Sequence, residues 1–282
     1  MRFDILTIFP NFFSGPLEHG ILSRSIATGA VEVHTHDLRA FTHDRHRTVD
    51  DRPFGGGEGM VLKPGPIFDC AESLRVAPKP TRDLTRESVI LLSAQGKPFT
   101  QSIAHRLATL TRVVLICGRY EGVDERVSDL LADTELSIGD YVLSGGELAA
   151  AVLLDAAARL LPGVLGHADS ARFESFGAPN EDSPGSPGDP APNLTPDGVP
   201  RSTHGAGGIL DYPHYTRPAD FRGTPIPDIL ANGDHAAIRR WRRQQALAKT
   251  LRNRPDLLTH APLTPEDRAH LASLDPSQTP SS

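Results

Sequence analysis

Four short runs in the first 120 residues carry the apolar, β-branched character of strands: FDILTIF from Phe3, VEVHTHDL from Val31, SVILLSA from Ser88 and RVVLIC from Arg112. The last two are nearly unbroken apolar runs, the pattern of parallel strands covered on both faces. Helical periodicity follows them: Thr100 caps QSIAHRLATL, and DERVSDLLAD comes just after Gly122. A shorter strand, ELSI, leads into a loop of small residues, SIGDYVLSGGE, from Ser137 to Glu147. The helix beyond it, ELAAAVLLDAAARLL, is apolar nearly all round and stops at Pro162–Gly163. Such a helix is expected to be buried, in part against a second subunit. Strands alternating with helices predict an α/β fold with a mostly parallel sheet.

The pattern breaks at Gly177. From there to Gly208 apolar residues nearly vanish and proline and glycine dominate. A segment of this kind cannot bury enough surface to offset its ordering entropy, which predicts a flexible linker. A second domain follows, built on a helix in HAAIRRWRRQQALAKTLRNRP, and the polar tail beyond about Ala261 is expected to be disordered. The expected organisation is a first domain over 1–168, a linker over 169–208, a small helical domain over 209–260 and a tail over 261–282.

Composition narrows the class. No apolar run approaches the roughly 20 residues that span a bilayer, so no membrane association is expected. MRFDILTIFPNFF reads as a first strand and not as a secretory leader. Two cysteines, Cys70 and Cys117, make no disulfide framework, which fits a reduced, cytoplasmic protein. The net charge of -6 argues against general nucleic-acid affinity, so any such role needs a local basic surface.

That surface exists in the second domain. Arg239, Arg240, Arg242, Arg243, Lys249, Arg252 and Arg254 fall on one helix with no acid between His235 and Pro255. A solvated face is one reading; a polyanion partner is favoured for a run of one sign on an acidic protein. Ile238, Trp241, Ala248 and Leu251 share a stripe and are the expected core face.

Three glycine-bearing stretches are the other candidates. RPFGGGEGM matches neither a Walker A loop nor a dinucleotide fingerprint. CGRYEGVDER and SIGDYVLSGGE each follow a strand directly, which places them at the C-terminal edge of the sheet, where open α/β folds bind ligands. His34, His36, His43 and His46 fit no strong zinc spacing, so no metal ligands are assigned. Arg159 has Asp155 one turn earlier as an ion-pair partner, and Glu174 in SARFESF can be a surface carboxylate. The residues alone make neither catalytic.

Taken in order, FDILTIFP, RPFGGGEGM, CGRYEGVDERV, SIGDYVLSGGE, PGVLGH, LDYPHYTRP and HAAIRRWR resemble the bacterial tRNA (guanine-N1-)-methyltransferases of the TrmD type, within the SPOUT methyltransferase class. The resemblance implies a parallel sheet whose last strands and loops form a deep trefoil knot, followed by a small helical domain. It implies a homodimer that binds S-adenosylmethionine and methylates N1 of the guanosine at tRNA position 37. Magnesium is possible on the same grounds, with no residues to assign to it. The matching cofactor positions are Gly118, Glu121, Gly122, Ile138, Gly139, Asp140, Tyr141, Val142, Leu143, Gly145 and Gly146. Small residues there would let an adenine ring meet main-chain groups.

Guanine N1 carries a proton at neutral pH, so the reaction needs a base near N1 and positive charge or donors near O6. By the resemblance Arg159 is the cation. The family reads S-x-x-x-D-S-F where this chain has SARFESF, so Glu174 is the expected base. Asp182 is its rival and Asp169 a weaker one. Glu58 in the glycine loop and the Pro/Gly-rich segment also depart from the pattern. The alternative is a non-catalytic RNA-binding protein on the same fold.

Overall fold

The computed structural model describes residues 1–165, 174–176 and 208–274. It divides into two compact units, 1–166 and 167–282.

In the first unit the order is β1 (Arg2–Thr7), α1 (Ser14–Leu17), α2 (Gly20–Ala27), β2 (Glu32–Asp37), β3 (Asp50–Asp51), β4 (Val61–Leu62), α3 (Pro64–Ser73), β5 (Glu87–Pro98), α4 (Gln101–Ala108), β6 (Arg112–Cys117), α5 (Glu125–Leu130), β7 (Thr134–Ser137) and α6 (Glu147–Ala158). The main sheet runs β2-β1-β6-β5-β7 with every neighbour parallel. Phe3 sits opposite Val33 on one side and Val113 on the other. The expected parallel sheet, covered on both faces, is therefore present.

Period-two alternation sorts the strand side chains. Phe3, Ile5, Ile90, Leu92, Val113 and Leu115 join one core with residues of α2, α4 and α6. Leu6, Val89, Leu91, Val114 and Ile116 join the other with α3 and α5. Local signals start the helices: the Thr100 side chain accepts from the Ile103 amide, Asp124 caps α5, and Pro64 opens α3.

Buried charge ties the strands together. Asp4, fully buried, accepts hydrogen bonds from Arg2, Arg112 and His36 at 2.8 Å each. Burial alone would raise its pKa, but the bonds from His36, Arg2 and Arg112 outweigh it and hold the carboxyl far below the usual carboxylate range.

Helix α6 is shorter than its pattern predicts. It ends at Ala158, because the last amides turn to i−3 carbonyls: Leu160 to Ala157 and Leu161 to Ala158. Within the single chain one strip of it is open. Leu148 and Val152, one turn apart, are 51% and 45% exposed.

The second unit holds a small antiparallel pair, β8 (Asp220–Phe221) and β9 (Thr224–Pro225), then α7 (His235–Asn253) and α8 (Pro265–Ser273). Asp234 caps α7 by accepting from the Ala236 and Ala237 amides. Two expectations are corrected here. The buried face of α7 is Arg243, Ala246, Leu247 and Thr250, not the stripe through Trp241. Trp241 is half-buried, with Tyr215 at 6.4 Å between ring centroids. The tail expected to be disordered from Ala261 carries α8, started by a Thr264/Asp267 capping box. The acid that α7 lacks arrives from α8: Arg243 donates twice to Asp267, at 3.0 and 2.9 Å. That long-range pair pulls an arginine into the core and turns the helix about its axis.

Removing one partner of a buried ion pair typically costs about 3–5 kcal/mol. Arg243→Ala is therefore expected to lower the urea midpoint, read by fluorescence of Trp241, the chain's single tryptophan. The double replacement Arg243→Leu/Asp267→Leu should recover most of the loss. Burial pushes Asp267 upward, but Arg243 more than offsets this and its pKa is lowered. The pair's contribution is thus fully present above the ordinary aspartate pKa of about 3.9 and is lost as pH falls through the lower folded value.

Candidate functional site

A cleft open to solvent lies at the C-terminal edge of the sheet. Three strand ends build it. The loop after β6 contributes Gly118 to Val123, the loop after β7 contributes Ile138 and Tyr141 to Gly146, and β5 contributes Leu91 to Gln95. The loops after β6 and β7 are not on adjacent strands, because β5 lies between them.

The β5 contribution was not legible in the sequence. The strand pairs with β7 up to Leu92–Leu136, then resumes at Lys97–Leu136, so four residues bulge out of the ladder. Gly96 sits where a Cβ would lie 2.5 Å from the Leu136 backbone nitrogen. Ser93, Ala94 and Gln95 are thereby turned into the cleft wall. The signal was present as a glycine inside a strand pattern.

Of the expected cofactor positions, Gly118, Glu121, Gly122, Ile138, Tyr141, Val142, Leu143, Gly145 and Gly146 line the cleft. Gly139 and Asp140 do not. Gly139 has φ of 153°, and the Tyr141 hydroxyl reaches back to the Ile138 carbonyl at 3.1 Å, closing a tight turn. Leu92, Ile138, Leu143 and Ala149 are apolar lining; Glu121, Glu125 and Glu135 outnumber the single cation, Arg119. A net acidic cleft with apolar walls suits a ligand that joins a flat ring to a positive charge.

The glycines serve the chain's own packing more than an approaching ligand. The Gly146 amide donates to the Gly118 carbonyl at 2.9 Å, and a Cβ on Gly146 would lie 2.8 Å from the Cys117 Cα. A Cβ on Gly118 would meet the Leu92 carbonyl at 3.1 Å. Arg119 and Gly145 form an antiparallel bridge between the two loops. The RPFGGGEGM loop joins the same assembly: the Glu121 amide donates to the Met60 carbonyl at 3.0 Å, and Leu62 to the Gly122 carbonyl at 3.0 Å. Glu58 is exposed within it.

A buried polar set lies beneath these loops. Glu147, 1% exposed at the start of α6, accepts from the Thr7 hydroxyl at 2.7 Å. Its other oxygen faces Arg119 Nη2 at 3.3 Å. The Arg119 guanidinium also lies over the Phe9 ring, 4.5 Å from its centroid. None of these contacts was foreseen, because they join residues far apart in sequence. Cys117, beside them, is fully buried, and burial pushes its thiol well above the ordinary range, so it packs without offering a thiolate.

Arg159 is the C-terminal cap of α6 in the first unit, its amide donating to the Asp155 carbonyl at 3.2 Å. Glu174 lies half-buried in a turn of the second unit. Its neighbours anchor that turn: Ser175 Oγ accepts from the Asp211 amide at 2.9 Å, and Asp211 Oδ2 meets His214 Nε2 at 2.9 Å. Asp169 and Asp182 lie outside the described residues. Among the described residues no three His, Cys, Asp or Glu side chains converge as a metal-binding group, and no helix is long and apolar enough to cross a membrane. His36 faces Asp4 and His43 faces Asp69.

Comparison with known proteins adds the following. The family model described as tRNA (Guanine-1)-methyltransferase TrmD matches residues 1–191 and 194–260. A protein of Koribacter versatilis named tRNA (guanine-N(1)-)-methyltransferase is 58% identical over 275 residues, covering 97% of this chain and 98% of that protein. Proteins of the same name from Moorella thermoacetica and Geobacter metallireducens are 47% and 44% identical, with at least 96% of each chain covered.

Gly146→Ala is expected to lower the thermal midpoint, since overpacking of this kind typically costs about 1–3 kcal/mol. Gly163→Ala is the comparison: nothing lies within 4 Å of its added methyl, so its cost comes from φ of 78° alone. Calorimetry of the two variants separates crowding from backbone strain.

Proposed function

The chain belongs to the tRNA (guanine-1)-methyltransferase TrmD family, and from that membership we propose that it transfers a methyl group from S-adenosylmethionine to N1 of the guanosine at tRNA position 37. The observation that carries the reading is the cleft where the loops after β6 and β7 meet, reached by a match that runs nearly the whole chain. The residues there fit the cofactor: Leu92, Ile138 and Leu143 offer apolar walls to a ring, and Glu121, Glu125 and Glu135 favour a cation.

When bound, the cofactor supplies a methyl group on a positively charged sulfur that is already a good leaving group. The chain's remaining work is to place guanine N1 in line with that methyl and to make N1 nucleophilic. Glu174 accepts the N1 proton. Arg159 offsets the negative charge that builds on O6 as the proton leaves. The basic face of α7 holds the phosphate backbone, with Arg239, Arg240, Arg242, Lys249 and Arg252 as the candidates. Arg243 is not among them, since Asp267 already holds it in the core.

The reading extends to a homodimer in the cytoplasm. The exposed Leu148 and Val152 on α6 support a subunit contact, and buried, unpaired Cys70 and Cys117 suit a reducing compartment. The trefoil knot belongs to the same reading, supported by the backbone contacts of Gly118 with Gly146 and of Arg119 with Gly145.

The test is transfer of labelled methyl to a tRNA transcript carrying guanosine at position 37. Wild type is expected to be active, and Glu174→Gln to lose roughly 100-fold or more, the range for a general base. Arg159→Ala should lose about 100-fold in kcat through the missing charge at O6. A Glu174→Gln variant with full activity removes Glu174 as the base and passes the role to Asp182. No transfer to any guanosine-37 transcript by wild type overturns the reading as a whole.

A further inference from the structure

Glu147 and Arg119 lie outside the proton-transfer chemistry, yet their contacts join the two loops that line the cleft to the first strand. Arg119 belongs to the loop after β6, which lines it. Its side chain crosses Gly145 of the loop after β7, where a Cβ would lie 2.8 Å from Arg119 Cδ and 2.5 Å from Glu147 Oε2. It then faces Glu147 at 3.3 Å, while Glu147 takes the Thr7 hydroxyl at 2.7 Å. Thr7 ends β1, and its hydroxyl oxygen also accepts the Phe9 amide at 2.9 Å. One carboxylate thus fixes both cofactor loops to the first strand and to the start of α6.

The pair is also slack. At 3.3 Å it falls outside hydrogen-bond alignment, and both Glu147 Oε2 and Arg119 Nε are buried without a hydrogen-bond partner among the described residues. Buried ionised groups with unmet bonding capacity are costly, and a buried ion pair is often no more stabilising than apolar side chains of the same size. Stability alone is therefore a weak reason for placing charges here. A pair that closes when the cleft fills, with Arg119 sliding over the flat Phe9 ring, uses that slack.

We propose that Glu147 is a positioning residue for methyl transfer: through Arg119 it sets the spacing of the two cleft loops, and the pair tightens when S-adenosylmethionine binds. The proposal rests on the cofactor reading above. Thr7 belongs to the same device, since its hydroxyl orients the carboxylate toward Arg119.

The experiment titrates S-adenosylmethionine into the full-length protein by calorimetry, alongside thermal midpoints, for wild type, Glu147→Gln, Thr7→Val and the double variant Arg119→Met/Glu147→Leu. Glu147→Gln is expected to bind the cofactor roughly tenfold more weakly, the size of coupling seen between contacting groups. The double variant discriminates between roles. It leaves no unpaired buried charge, so its midpoint should return toward wild type; under the proposal its cofactor affinity stays low. Recovery of affinity together with the midpoint overturns the proposal and makes the pair structural. If the charge variants do not fold, Thr7→Val decides: a several-fold weaker affinity with a midpoint close to wild type supports positioning, and an unchanged affinity overturns it. Wild type that binds no S-adenosylmethionine fails the cofactor reading itself, an outcome distinct from wild type and variants binding alike.

Discussion

Gly118 and Gly146 meet backbone to backbone above the end of β6, amide to carbonyl at 2.9 Å, with no room for a side chain on Gly146 and little on Gly118. Most of the functional half of the molecule follows from that contact. It brings the loop after β7 across β5 to the loop after β6, although the two strands are not neighbours. It sets α6 to start directly over the sheet, so that Glu147 enters the interior beside Thr7. The cleft exists because two loops that would otherwise point into solvent are held against each other.

Three sets of charged residues play different parts in the molecule. Asp4 with Arg2, Arg112 and His36 ties β1 to its two neighbours, β2 and β6. Asp267 holds α8 to α7 through Arg243. Glu147 and Arg119 differ from both groups: their pair is longer, incompletely bonded and placed beneath a ligand cleft. The Asp4 and Asp267 sets are closed by hydrogen bonds of 2.8–3.0 Å. The third is the set on which the proposed positioning role rests.

Patterning along the chain was enough to identify the sheet. Continuous apolar runs at SVILLSA and RVVLIC identified buried parallel strands, because only a strand covered on both faces can carry apolar side chains on both. The ordered motifs identified the family, and most of the positions matched to the cofactor lie on the cleft. Local chemistry also placed the helix starts at Thr100 and after Gly122, since a cap acts over three residues and is written in the sequence.

Most of what failed was set by a side chain distant in sequence. The stripe through Trp241 is a valid apolar face of an isolated helix, but Asp267, 24 residues beyond Arg243, turned the helix another way. The polar tail lacked a core of its own, yet Thr264 and Asp267 gave it a capped helix packed on α7. The bulge after Leu92 depends on how β7 pairs, and Glu147 looked like an ordinary acid at a helix start until Thr7, 140 residues away, lay beside it. Hydrophobic period and capping act over one or two turns, so the sequence alone determined the strands of the main sheet, the helices α4 and α5 that follow two of them, and the family. Which buried charges meet, and which glycines must stay bare so that two loops can touch, depends on atoms brought together only by folding, and that the tertiary structure decided.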